Sequence, residues 1–322
     1  MINLVSVLLP VYNVERYISA CLNSVVDQTF KNLEIVIVDD GSTDNSWEIC
    51  NQYAKRDSRI VLVSQVNKGL AGARNTALNH ARGDCIAFID SDDFVTLDYV
   101  EMLVDRMERF SADIVACGRW RYSEKGAVEE HRPAFSNNVM NGMDALRALN
   151  SYRSFDMSMC SKLVRRNLFE GERFPEGKLS EDQFVCYRLL AKAHSVYYDS
   201  RPLYYYRQRI GSISRNSKVN TYPIEASREQ LRFLLDAYPE LRYAGETSCL
   251  FSRVAVFNAF VIRGKSIPED TKTKIDNNRL RYLAFALKNP DLSIKKKIQG
   301  IAFCLFRPLY KKIYLSYQGR LM

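Results

Sequence analysis

Histidine is nearly missing from this 322-residue chain: only His80, His131 and His194 occur, none spaced with another for metal binding, which excludes a histidine-rich metal or catalytic centre. The eight cysteines contain no Cys-x-x-Cys pair. Zinc sites are thereby disfavoured, and with no signal-peptide pattern the thiols read as reduced and mostly buried, in a cytoplasmic protein. Long apolar runs are also lacking. Stretches such as Ile301 to Phe306 fall far below the ~20 residues that cross a bilayer. There is no internal repeat, low-complexity segment or Pro/Gly/Ser-rich linker. What remains is ordinary: 47% apolar and 26% charged residues set aside disorder, collagen-like repeats and a disulfide scaffold. The length suits one large domain or two smaller ones, at roughly 100–200 residues each. Any metal chemistry has to rest on carboxylates.

The net charge of +9 is concentrated. Residues 292–322 hold seven basic residues (Lys295, Lys296, Lys297, Arg307, Lys311, Lys312, Arg320) and no acid, leaving only +2 for the rest. Ile298, Ile301, Ala302, Leu305 and Leu309 recur at helical spacing, Phe306 and Tyr310 widen that face, and the basic residues fall mainly outside it. That pattern favours an interfacial helix on an anionic membrane surface over nucleic acid; the alternative is a terminal helix docked on the body. Pro308 predicts a break, with one short helix before it and another starting at it.

Residues 4–11, 33–39, 59–64, 85–90 and 113–117 are short β-branched apolar runs that read as strands buried on both faces. Between them, 14–27, 43–56, 70–81 and 97–110 carry apolar positions every three or four residues. Strand and helix therefore alternate, the order of a parallel α/β sheet, whose ligands bind beyond the carboxyl ends of the strands. Those ends carry Pro10-Val11-Tyr12-Asn13, Asp39-Asp40-Gly41-Ser42 and Asp90-Ser91-Asp92-Asp93. The alternation stops near residue 137, and beyond about 216 the chain reads as helical.

Asp90-Ser91-Asp92 places two carboxylates where they can share a divalent cation, Mn²⁺ or Mg²⁺, and a ligand's ribose or phosphate. A strand-terminating turn is the plain alternative. Asp39 and Asp40 sharpen the case, since four acids on adjacent strand ends repel one another without a cation or donor between them. Gly41 and the hydroxyls after it account for a turn and a helix cap, but not for two acids before the cap. Gly72 and Ala73 allow close backbone approach, with Arg74 able to face a base or phosphate. Ser180-Glu181-Asp182-Gln183 matches a capping box, and acids in a helix's first turn are favoured by the macrodipole. Trp120 and Tyr122 follow the fifth strand, either as a flat stacking surface for a ligand ring or as buried aromatics at a strand end.

In order and approximate spacing, Pro10-Val11-Tyr12-Asn13, Val38-Asp39-Asp40-Gly41-Ser42-Thr43-Asp44, Gly72-Ala73-Arg74-Asn75, Asp90-Ser91-Asp92 and Ser180-Glu181-Asp182 resemble glycosyltransferase family 2, with its GT-A nucleotide-sugar-binding fold. The resemblance covers about residues 4–215. It implies a mostly parallel α/β GT-A domain over 1–215, followed by a helical region over 216–322 with a basic amphipathic tail from about 292. It implies that Pro10, Tyr12, Asn13, Asp39, Asp40, Arg74, Asp90 and Ser91 bind the UDP-sugar, with Asp39 on the uracil, and that Asp92 ligates Mn²⁺ or Mg²⁺. Arg209 and Ser212 match an Arg-x-Gly-Ser segment that holds the departing diphosphate, the alternative being a surface loop. Asp182 is expected as general base, with Glu181 positioning the acceptor.

The implied activity is inverting transfer of a hexose or N-acetylhexosamine to a hydroxyl of a glycan or lipid-linked oligosaccharide, at the inner face of the cell membrane. Sugar-phosphate nucleotidyltransfer would call for a glycine-rich basic loop after the first strand, where Pro10-Val11-Tyr12-Asn13 stands instead. A non-catalytic nucleotide-sugar-binding or membrane scaffold would not require Asp92 and Asp182.

Overall fold

The computed structural model describes residues 1–123, 126–130, 137–152, 156–208 and 219–319. Strands β1 (Val5–Val11), β2 (Leu33–Asp39), β3 (Ile60–Ser64) and β4 (Cys85–Phe88) alternate with helices α1 (Ile18–Val26), α2 (Ser46–Ala54) and α3 (Gly69–His80), where the apolar runs predict them. Every residue of β1 and β2 is buried, as continuous apolar runs covered on both faces require. The polar intruders are satisfied. Glu34, buried in β2, accepts hydrogen bonds from Ser6 and from the Arg82 and Gly83 amides that turn the chain into β4. Pro10 falls past the last β1–β4 pair, Leu8 with Phe88, so it removes no ladder donor on that side.

Then follow β5 (Phe94–Val95), α4 (Tyr99–Arg109), β6 (Ile114–Ser123), β7 (Gly126–Glu130), β8 (Asn138–Met140), α5 (Gly142–Ser151), β9 (Lys162–Arg165), α6 (Cys186–Lys192) and β10 (Val196–Arg207). The sheet order is β3-β2-β1-β4-β9-β6-β10-β5, with β7 on β6 and β8 on β10. Pairing is parallel across β3, β2, β1 and β4, and again between β6 and β10. Between these blocks β9 runs antiparallel to both β4 and β6. β5 and β8 also run antiparallel to β10, and β7 to β6, so the sheet is mixed. The reversal at β9 puts the carboxyl ends of β1, β2, β4, β6 and β10 and the amino end of β9 on one edge of the sheet.

The chain divides into two compact units, residues 1–145 with 153–209, and residues 146–152 with 210–322. The second is helical: α7 (Tyr222–Ala237), α8 (Arg242–Ile262), α9 (Glu269–Asp276), α10 (Arg279–Lys288), α11 (Ile294–Leu305) and α12 (Arg307–Gly319). Its core gathers Leu250, Phe257, Phe260, Leu283, Phe303 and Tyr310. The break expected at Pro308 is present, α11 ending at Leu305 and α12 carrying the proline in its first turn. All eight cysteines are buried and unpaired. Among the described residues no helix is long and apolar enough to cross a membrane.

Candidate active site

The turn after β4 is held from the far strand. Tyr204 of β10 accepts from the Asp90 amide at 3.1 Å and donates to Asp93 Oδ2 at 2.7 Å. Three residues on, Arg207 donates its amide to Asp93 Oδ1 at 2.8 Å and its Nε to the Asp92 carbonyl at 2.8 Å. Its guanidinium lies over the rings of Tyr122, Phe94 and Tyr17, 5.0 to 5.3 Å from their centroids. Burial, followed by the charges of Asp92 and Asp90, pushes the Asp93 carboxyl well above the usual range. Asp93, Tyr204 and Arg207 thus fix the Asp90–Asp92 turn. Asp93 enters the sequence reading only as the last residue of a strand-end string, and Tyr204 and Arg207 do not enter it as site residues, because the partners lie over a hundred residues apart and no local spacing links them.

Arg74 projects from α3, whose buried face is built from the small residues Ala71, Gly72, Ala73 and Ala77. A side chain at Gly72 would run into Lys68 one turn earlier. Arg74 is 2% exposed, sits over the rings of Phe88 and Phe174, and pairs with both Glu181 and Asp90, the latter at 3.0 Å. Burial works against its charge, but Glu181 and Asp90 outweigh that and hold its pKa well above the ordinary value. Arg74 is a strut joining the two acidic segments.

Glu181–Phe184 form one turn of 3-10 helix. The capping box anticipated there does not form: Ser180 adopts a left-handed backbone, φ 57°, and makes no side-chain cap, while its carbonyl accepts the Gln183 amide. The acids are thus freed from capping. Glu181 is buried against Arg74; Asp182 beside it is half-buried. Burial, then the neighbouring Glu181 charge, raises the Asp182 carboxyl to about 7, with Arg74 acting in the opposite direction. Asp156 adds to the upward push and is itself held by Arg119 at 2.5 Å and Lys162 at 3.7 Å. A carboxylate tuned near neutrality has the basicity to take a proton from a hydroxyl and remains ionised above that pH.

On the neighbouring strand ends, Asp39 and Asp40 are both buried but differ. Asp40 is spent on the turn, accepting from Gln65 at 2.6 Å and from the Lys68 amide at 2.8 Å. Asp39 Oδ2 accepts the Ser42 amide at 3.2 Å, while its Oδ1 is buried with no hydrogen-bond partner. An orphaned carboxylate oxygen of this kind calls for a donor. Gly41, at φ 72°, makes the turn between them. Tyr12 is 49% exposed, and Asn13 ties the first loop to the second, its Oδ1 accepting the Thr43 amide at 2.8 Å. Pro10 is buried in β1 and Ser91 in the acidic turn. Trp120, half-buried, donates to the Pro202 carbonyl at 2.8 Å and stacks on Tyr205. Arg209 and Ser212 lie outside the described residues.

Among the described residues no group of three or more His, Cys, Asp or Glu is arranged to hold a metal ion by itself. Asp90 is paired with Arg74, Asp93 is buried against Tyr204, and Asp92 stands between them, half-buried. One or two carboxylates with the remaining positions left to phosphate oxygens and water is a donor set that fits Mg²⁺ or Mn²⁺ carried with a diphosphate.

The family "Glycosyl transferase family 2" matches residues 6–171, just over half of the chain. Glycosyltransferase GlyA of Streptococcus pneumoniae is 39% identical over 245 residues, covering 73% of this chain but only 35% of GlyA. Glycosyltransferase EpsJ of Bacillus subtilis is 31% identical over 309 residues, covering 94% of this chain and 84% of that relative. Among solved structures, S. aureus TarS 1-349 in complex with UDP-GlcNAc superposes with a TM-score of 0.70 at 21% identity, covering 98% of this chain and 91% of that one. The chain belongs to glycosyltransferase family 2, and its fold is that of GT-A enzymes such as TarS.

Proposed function

We propose that this family 2 member is an inverting glycosyltransferase that moves a hexose or N-acetylhexosamine from a UDP-sugar to a hydroxyl of a glycan acceptor, a lipid-linked surface polysaccharide being the class intended. One observation carries the reading: Arg74 links an acidic turn suited to a metal diphosphate with a second carboxylate pair in which Asp182 has a base-like pKa of about 7. In the reaction, the acceptor hydroxyl gives its proton to Asp182 as its oxygen forms the new bond to the anomeric carbon. The bond from that carbon to the β-phosphate oxygen breaks, and its electron pair leaves with UDP. Attack from the face opposite UDP inverts the anomeric centre.

Glu181, locked to Arg74, orients the acceptor and keeps Asp182 basic. Asp39 would take the imide N–H of uracil on its orphaned Oδ1, with Pro10, Tyr12 and Asn13 on one side of the base and Asp40 bracing the turn. Asp90 and Ser91 would meet the nucleoside side of the donor. Asp92 would hold Mn²⁺ or Mg²⁺, which when bound supplies positive charge to the diphosphate. Arg209 and Ser212 are assigned to the same diphosphate. Residues 1–215 are given donor binding and catalysis, and 216–322 attachment to an anionic membrane surface through the tail from about 292, at the cytoplasmic face of the membrane.

The test is release of UDP from a panel of UDP-sugars, with and without acceptor. Acceptor-dependent release that stops in EDTA and returns with Mn²⁺ or Mg²⁺, with an inverted product anomer, supports the proposal. Full turnover in excess EDTA removes the metal, and a retained anomer removes the single-displacement mechanism.

A further inference from the structure

Nineteen large hydrophobic side chains are exposed among the described residues, and eight of them fall between Ile294 and Tyr317. Their placement is ordered. With each residue turning the helix by about 100°, Ile294, Ile298 and Leu305 lie along one side of α11, while Gly300, Phe303 and Cys304 lie on the opposite side and are buried. On α12, Leu309 and Ile313 are exposed one turn apart, while Tyr310 is buried against Phe257 and Phe303. A helix that merely docks on a body needs one apolar face. α11 has a second, which docking on the body leaves uncovered.

The lysines sort by face. Lys295 and Lys297 flank the outer row of α11 on its two sides. Lys296 points the other way, its Nζ 4.8 Å from the centroid of Phe251 and 5.1 Å from that of Tyr152, and burial lowers its pKa. All three stand in the first turn of α11, where the macrodipole favours acids, so the helix gains nothing from them itself. An apolar row bordered by cations, in a segment with no acid, is complementary to one kind of surface: acyl chains beneath anionic headgroups.

We propose that α11 and α12 lie in the plane of an anionic leaflet, inserting Ile294, Ile298, Leu305, Phe306, Leu309 and Ile313 while Lys295, Lys297 and Lys312 meet the phosphates. Lys296, half-buried over Phe251 and Tyr152, takes no part. This names the residues behind the membrane attachment proposed above and rests on that reading, not on the catalytic assignment. Deleting the tail is the wrong experiment, because it would also strip Phe303, Cys304 and Tyr310 from the core of the helical unit.

The test is sedimentation of the full chain with vesicles of phosphatidylcholine, with and without phosphatidylserine, at low and high salt. Ile298→Asn with Leu309→Asn should weaken binding by about tenfold or more while leaving the circular dichroism melt in place. Lys295→Gln with Lys297→Gln should weaken binding only to the anionic vesicles, and Lys296→Gln should leave binding unchanged if the melt is unchanged. UDP release from the UDP-sugar with a soluble acceptor, read in parallel, should stay level in all three, so loss of attachment is told apart from loss of catalysis. Vesicle binding by the Ile298/Leu309 variant equal to the parent, equal binding to neutral and anionic vesicles, or a self-associated parent that the same variant converts to monomer would each overturn the proposal; the last would make a second copy of this chain the occupant of the row.

Discussion

Arg74 in the sheet-bearing unit and Glu246 in the helical unit are both buried charges, yet their surroundings differ. Arg74 is clamped by two carboxylates from segments separated in sequence, and each leads straight to another acid, Asp92 on one side and Asp182 on the other. Glu246 in α8 accepts from Arg281 at 2.6 Å and meets Arg242 at 3.5 Å, and both arginines are about half-exposed. No acidic pair or turn continues from it. The Arg74 cluster runs on into two partly accessible acids, Asp92 and Asp182; the Glu246 cluster ends in surface arginines, with Glu246 Oε2 buried and without a hydrogen-bond partner.

Substitution separates these two uses of charge. Replacing Arg74 by methionine leaves Glu181 buried with its cation gone and should cost about 3–5 kcal/mol in chemical denaturation, and the soluble fraction should lose turnover as well. Glu246→Ala should cost less, about 1–3 kcal/mol, since its arginines can turn to water, with kcat per folded enzyme unchanged. If Glu246→Ala lowered kcat with an unchanged melt, the contrast between the units would fail. Glu181→Gln removes the charge that raises Asp182, so the acidic limb of the kcat/KM profile, expected near the Asp182 value of about 7, should move to lower pH. Activity rises with pH through that limb because the base works only when ionised. A limb that stays put would detach Asp182 from the profile. Smallest is Tyr204→Phe: losing the hydroxyl between Asp93 and the Asp90 amide should cost about 1 kcal/mol and raise KM for donor more than it lowers kcat.

Much of the sheet-bearing unit is legible because β1, β2 and β4 are buried on both faces and announce themselves as apolar runs. β10 does not, since Asp199, Arg201 and Pro202 interrupt its pattern and its register with β6 shifts around Pro202. β7, β8 and β9 are short antiparallel additions without a periodic signature. The acids could be read one by one from their positions at strand ends, but the Arg74 strut, the Tyr204–Asp93 post and the Arg207 cage are tertiary. The capping box misled for a local reason: a left-handed Ser180 cannot present its hydroxyl to the turn it precedes. In the tail, hydrophobic spacing gave a face but could not divide it into an inner and an outer one, or place Lys296 over Phe251 and Tyr152.

The account stands most directly on Asp182→Asn. Asparagine keeps the size of the side chain and removes the base, so kcat should fall by about 10²–10⁴-fold while UDP-sugar affinity and the thermal midpoint hold. Near-normal turnover together with an early melt would make this carboxylate a structural element and leave the proposed reaction without its base.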